Sequence, residues 1–127
     1  MEINLLTFSY ANSEIYNETL MEEGFNQYAA RKNLNITLNV DILIYDKPTD
    51  AYKYFISLVE SSLKKNSVKY EIYFYDNAYS DMYGPYLLNL NNNLPKEHIE
   101  MYDTKILNET CYYKDELVGF VMFINKL

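Results

Sequence analysis

The chain has 127 residues, 49% hydrophobic and 23% charged, which is enough for a core and excludes bulk disorder. Its formal net charge of -7 and pI near 4.6 oppose the phosphate attraction on which nucleic-acid affinity rests, and no Lys/Arg patch offsets them, so nucleic acid is excluded as a partner class. A single cysteine, Cys111, excludes an internal disulfide framework and any cysteine-based zinc cluster.

Residues 1–6 lack the basic and long apolar segments of a signal peptide, and no apolar run reaches membrane-spanning length; no export or anchoring signal is expected within the chain. Fifteen tyrosines and as many asparagines, beside no tryptophan and three glycines, read as a coding bias. A single Tyr or Asn is therefore a weak functional signal here.

Residues 3–8 form a short apolar run that ends at Ser9-Tyr10-Ala11-Asn12-Ser13, a cluster of helix-capping side chains, and so predict a strand followed by a loop. Residues 13–32 predict a helix, with Glu14 and Glu18 in its early turns, Arg31 and Lys32 in its last, and Met21, Gly24, Phe25 and Tyr28 on one face. From residue 34 to 45 apolar side chains alternate, Leu34, Ile36, Leu38, Val40, Ile42, before closing in Leu43-Ile44-Tyr45, which predicts a second strand and leaves both a central and an edge place open to it. Asp46-Lys47-Pro48-Thr49 breaks it. Tyr52, Phe55, Ile56, Val59 and Leu63 then recur at helical spacing until Lys64-Lys65-Asn66, the clearest amphipathic helix in the chain.

Ile72-Tyr73-Phe74-Tyr75 is apolar and β-prone and reads as a central parallel strand covered on both faces, with Asp76 where it stops. Residues 78–86 predict a helical turn broken at Gly84-Pro85, and residues 96–102 and 103–110 two further short helices. Residues 110–113 and 117–124 flank Lys114-Asp115-Glu116 and predict a hairpin with a polar tip and a long second arm. The only biased tract, Asn89 to Asn93, is too short for a domain linker, so a single domain spanning residues 1–127 is expected.

The alternation of strands and helices predicts an α/β fold, a mostly parallel sheet with helical crossovers. Ligands of such sheets gather outside the carboxyl ends of the strands. That rule selects Ser9, Tyr10, Asn12 and Ser13 after the first strand, Tyr45 and Asp46 after the second, and Asp76, Asn77 and Tyr79 after the third. Hydroxyls, amides and carboxylates there can hydrogen-bond a ligand, and tyrosine rings can pack on an apolar face of it. Each also has a purely structural reading: Ser9, Asn12 and Ser13 as caps of the first helix, Asp46 and Lys47 as a turn before Pro48, Asp76 as a turn former, the tyrosines as packing.

His98 stands in a polar helical turn with no cysteine or second histidine nearby, so no metal site is expected and the ring should be solvated. Cys111 reads as a small core residue, since no histidine partner accompanies it.

Four segments, INLLTFSYANSE, YEIYFYDNAY, YLLNLNNNLP and CYYKDELVGFVMF, occur in an order that resembles the first lobe of the type II periplasmic-binding-protein fold. The resemblance is to the extracellular solute-binding proteins of sugar transporters, and to related ectodomains of class C receptor-like proteins of anaerobic fungi. It covers essentially the whole chain and is carried most specifically by the Leu-rich stretch closed by Leu94-Pro95 and by the hairpin, although Val121 stands where the family usually carries a proline.

The resemblance implies non-catalytic binding of a small solute, most often a carbohydrate, in a cleft between this lobe and a second one, for transport or receptor sensing. It further implies an extracellular or cell-surface setting, no cofactor, a hairpin leading toward a hinge, and a second lobe or membrane component as partner. Asn17-Glu18-Thr19, Asn35-Ile36-Thr37 and Asn108-Glu109-Thr110 match the glycosylation acceptor pattern, as in a secreted glycoprotein.

Two alternatives remain open. A flavodoxin- or receiver-like α/β domain shares the opening order, though SYANSE has no glycine for a phosphate loop and Thr7-Phe8-Ser9 no paired acids. A truncated product without binding activity is the other.

Overall fold

The computed structural model describes residues 1–10, 15–45, 48–66 and 68–121, with the backbone alone at residues 10, 15–18, 45, 48, 49 and 51. The chain divides into two compact units, Met1–Tyr75 and Asp76–Leu127.

The first unit is α/β. Strand β1 (Glu2–Tyr10) lies between β2 (Thr37–Tyr45) and β3 (Ile72–Tyr73), and both pairings are parallel. Helix α1 (Ile15–Arg31) joins β1 to β2, and α2 (Pro48–Lys64) lies between β2 and β3. Strand alternation turns Leu6 and Phe8 to one face of the sheet and Leu5, Thr7 and Ser9 to the other. Leu5, Leu6, Thr7 and Ser9 are buried, so it is β1 that is covered on both sides. The predicted central strand at residues 72–75 is instead a two-residue edge strand with Ile72 exposed. A short apolar run is equally compatible with either place, and only the pairing decides.

The apolar stripe of α2 behaves as its spacing predicts. Phe55 and Val59 are buried, Tyr52, Ile56 and Leu63 half-buried, and the Phe8 ring sits 5.4 Å from that of Phe55 and 5.7 Å from that of Tyr52. Burying side chains such as Leu6 and Val59 stabilises by roughly 1.5–3 kcal/mol each.

Helix α1 follows the prediction only in part. Of the expected face Met21 and Phe25 are half-buried but Gly24 and Tyr28 are exposed, and Glu22, Asn26 and Ala29 turn inward as well. The reason is the neighbour it packs on. As an edge strand, β2 carries a row of backbone groups with no strand beside them, and α1 supplies side chains in place of that strand. Asn26 Nδ2 donates to the Leu38 carbonyl at 3.0 Å, Asn26 Oδ1 accepts from the Leu38 amide at 2.8 Å, and the Glu22 carboxylate, one turn earlier, accepts from the Val40 amide at 2.6 Å.

The same helix ends with Asn33 in the left-handed region at φ 54°. The Leu34 amide donates to Ala29 and the Asn33 amide to Ala30, the double closure of a Schellman turn. Leu34 and Ile36, counted above as strand positions, therefore belong to the connection, and β2 begins at Thr37. Asn66, at φ 49°, likewise follows α2.

The second unit is built from short elements. A 3-10 turn (Asn77–Tyr79) leads into α3 (Ser80–Tyr83) and a further 3-10 turn (Gly84–Tyr86) in which Pro85 stands. The asparagine-rich stretch is a capped turn: the Asn89 side chain accepts from the Asn91 amide at 3.1 Å, and Asn93 Nδ2 donates to the Asn89 carbonyl at 2.7 Å. Helix α4 (Lys96–Ile99) follows Pro95 and is shorter than the predicted 96–102. Helix α5 (Thr104–Thr110) starts at Asp103, whose carboxylate accepts from the Ile106 amide.

The hairpin is present at its tip but not at its predicted length. Strands β4 (Tyr112–Tyr113) and β5 (Glu116–Leu117) have two residues each, and residues 118–121 are not strand. Residues 122–124 of the predicted arm lie outside the described residues. After Leu117 the chain is drawn into the core: Leu107, Cys111 and Leu117 form its buried centre, with Ile99, Tyr102 and Phe120 packed against it. Cys111 is a core residue, as expected from its setting.

Candidate ligand-binding site

Parallel pairing runs in register along all of β1 and β2, with Ser9 opposite Ile44 and Tyr10 opposite Tyr45. The two strands therefore end side by side, each on a tyrosine. The carboxyl end of β3 points the same way, its Tyr73 paired with Leu6 and the Phe74 amide donating to the Leu6 carbonyl. Of the predicted contact residues in this unit, Ser9 is 1% exposed and lies on the face of the sheet shared with Leu5 and Thr7. Tyr10 and Tyr45 are placed by their backbone at the strand ends, and Asn12, Ser13 and Asp46 lie outside the described residues.

The third predicted group belongs to the second unit. Asp76 is exposed and its carboxylate accepts from the Ala78 amide at 2.9 Å, which closes the turn that begins at half-buried Asn77. The Tyr79 ring is half-buried and lies 6.0 Å from that of fully buried Tyr83. Asp76 thus has a structural task of the kind foreseen for an acid after a strand.

Sequence reasoning did not single out a polar cluster in the first unit. The Tyr70 hydroxyl donates to Asp41 Oδ2 at 2.7 Å, and the Tyr70 and Tyr73 rings meet edge to face at 5.9 Å. Burial pushes the Tyr70 phenol up to about 12, helped by the bond to Asp41 and by the negative charge of that carboxylate. Burial also raises Tyr73, against the lowering effect of a hydrogen bond with Ser62. The folded Tyr70 thus holds its proton above the ordinary value of 10.0, so its contribution to stability is complete below pH 10 and is lost as pH rises through about 12. Urea unfolding across pH 9 to about 12.5 is expected to give a steeper loss of stability for the native chain than for Tyr70→Phe.

His98, expected to be solvated, is exposed but packed: its ring lies 5.8 Å from both Tyr102 and Phe120, edge to face, while those two stack at 4.3 Å. Among the described residues, no group of three His, Cys, Asp or Glu side chains could hold a metal ion, and no helix is long and apolar enough to cross a membrane. Of the acceptor patterns, Asn35 is exposed before β2. Asn108 is exposed within α5, where the Thr110 hydroxyl donates to the Ile106 carbonyl at 2.6 Å.

The second unit also carries a cleft that no sequence motif announced. It has a volume of about 430 Å³ between α4, α5 and the Leu90–Asn92 turn. Its polar residues are scattered between residues 91 and 108, and only folding assembles them.

No family model matches the chain, and no curated protein matches it.

Proposed function

We propose that the chain is a non-catalytic solute-binding lobe that takes a small neutral ligand, a carbohydrate by chemistry, at the carboxyl ends of its parallel strands. It works with a second lobe in the manner of the type II periplasmic-binding-protein fold, outside the cell, in transport or receptor sensing. The observation that carries this reading is the unbroken parallel register of β1 and β2, which brings Tyr10 and Tyr45 to the same end of the sheet. Two aromatic residues at adjoining strand ends fit the flat apolar faces of a sugar. The net charge of -7 favours a neutral solute over an anion. The strand-end rule adds Asn12, Ser13 and Asp46 as further contacts, and Asp76, Asn77 and Tyr79 as a third group after the third strand.

Calorimetric titration of the purified chain with a panel of neutral saccharides tests the reading. Tyr10→Ala and Tyr45→Ala are each expected to weaken binding about tenfold or more, as a lost stacking ring does. Asp76→Ala and Tyr79→Ala test the third group of contacts separately. Binding unmoved by all four variants removes the site, and bound flavin absorbance or acyl-phosphate labelling replaces the reading with a flavodoxin- or receiver-like one.

A further inference from the structure

The cleft in the second unit has a build of its own. Its floor is apolar: Leu107 is buried in the core, with Ile99 and Tyr112 half-buried and packed against that core. Its walls carry the side chains of Asn91, Thr104 and Asn108, all exposed. Two amides and a hydroxyl can each donate and accept, the same dual capacity that vicinal hydroxyls present.

The one cation on the wall, Lys96, stands 3.7 Å from the carboxylate of Glu100, so the cleft holds no net positive charge to draw an anion. A volume of about 430 Å³ falls in the range of small-ligand sites, and an apolar floor beneath amphiprotic walls suits a ring with one C–H face and a rim of hydroxyls.

We propose that this cleft binds a neutral polyhydroxylated ring, a mono- or disaccharide or a cyclitol, independently of the strand-end site. Three neutral hydrogen-bonding side chains and an open floor set the expected affinity on the order of a millimolar dissociation constant.

The test is a titration of the isotope-labelled full chain with maltose and with myo-inositol, followed by amide chemical shifts, with inorganic phosphate as the charged comparison. Shifts are expected to concentrate at Asn91, Ile99, Thr104, Asn108 and Tyr112, and to weaken about tenfold or more in Thr104→Val and Asn108→Leu. Both positions are exposed, and an unchanged spectrum elsewhere establishes that the variants fold. Shifts that persist in Tyr10→Ala and Tyr45→Ala separate this cleft from the strand-end site, so either can fail alone. No saccharide shift at these residues, shifts indifferent to both cleft variants, or tighter binding of phosphate than of either polyol overturns the proposal.

Discussion

Asn26→Ala is expected to lower the unfolding free energy by about 2–4 kcal/mol, a large loss for a polar side chain on a helix. The substitution removes both partners of Leu38, its amide and its carbonyl, in a part-buried setting. Each orphaned group costs about 1–3 kcal/mol, and the better helix propensity of alanine returns only about 0.5 kcal/mol. Asn26→Asp should fare little better, because a carboxylate keeps the bond from the Leu38 amide but faces the Leu38 carbonyl with a second acceptor. Urea unfolding midpoints check the ranking, with both variants well below the native chain. Combining Asn26→Ala with Glu22→Ala also strips the Val40 amide of its partner and opens the flank of β2 to other chains. Sedimentation should then show stronger concentration-dependent association than the native chain does; a double variant with unchanged association and unchanged stability would refute this account of α1.

Gly84→Ala is expected to cost about 3 kcal/mol or more, chiefly through contact. Gly84 is buried at φ -49° and ψ -42°, a helical backbone that a residue carrying a Cβ disfavours directly before Pro85. A Cβ at this position would also fall on Tyr113, overlapping Cβ, Cγ and Cδ2 of that side chain. Overpacking typically costs about 1–3 kcal/mol, and an overlap this deep forces the turn and the hairpin apart. Because Tyr113 Cβ itself is among the atoms met, Tyr113→Ala should not rescue Gly84→Ala, whereas Tyr113→Gly should rescue part of it. A double-mutant cycle measured by thermal unfolding checks both statements, and additive costs across the pair would show that the two residues do not meet.

Much of the first unit is legible in the sequence because its signals are local. Phe55 and Val59 recur at the period of a helix that faces a sheet, and residues 3–8 and 34–45 read as strands, although β1 runs on through Ser9 and Tyr10, read as loop, and β2 starts only at Thr37. The inward face of α1 is legible only in part: Met21 and Phe25 are half-buried as read, but Glu22 and Asn26 look like solvent residues until the flank of β2 is known to need donors and acceptors. Rank within the sheet is equally hidden: nothing local in Ile72-Tyr73 distinguishes a centre from an edge, and β1 takes the centre because both neighbours pair with it. The long hairpin arm failed for a related reason. Leu117 and Val118 are apolar because they enter a core, not because they continue a ladder.

For the candidate contacts, the strand-end rule selected Ser9, Tyr10 and Tyr45 from chain order alone, and the register of β1 with β2 sets Tyr10 and Tyr45 at one end. It had no means of finding the cleft floored by Leu107, where the polar residues obey no motif.

The side chains of Asn26 and Glu22 on the flank of β2 have a consequence for how the first unit breathes. Strand amides usually exchange with solvent deuterium when strands separate, but those of Leu38 and Val40 are held by a helix. Their protection therefore clocks the undocking of α1 alone, and two isotope-sensitive amides become built-in reporters of a motion that leaves the β1–β2 ladder intact.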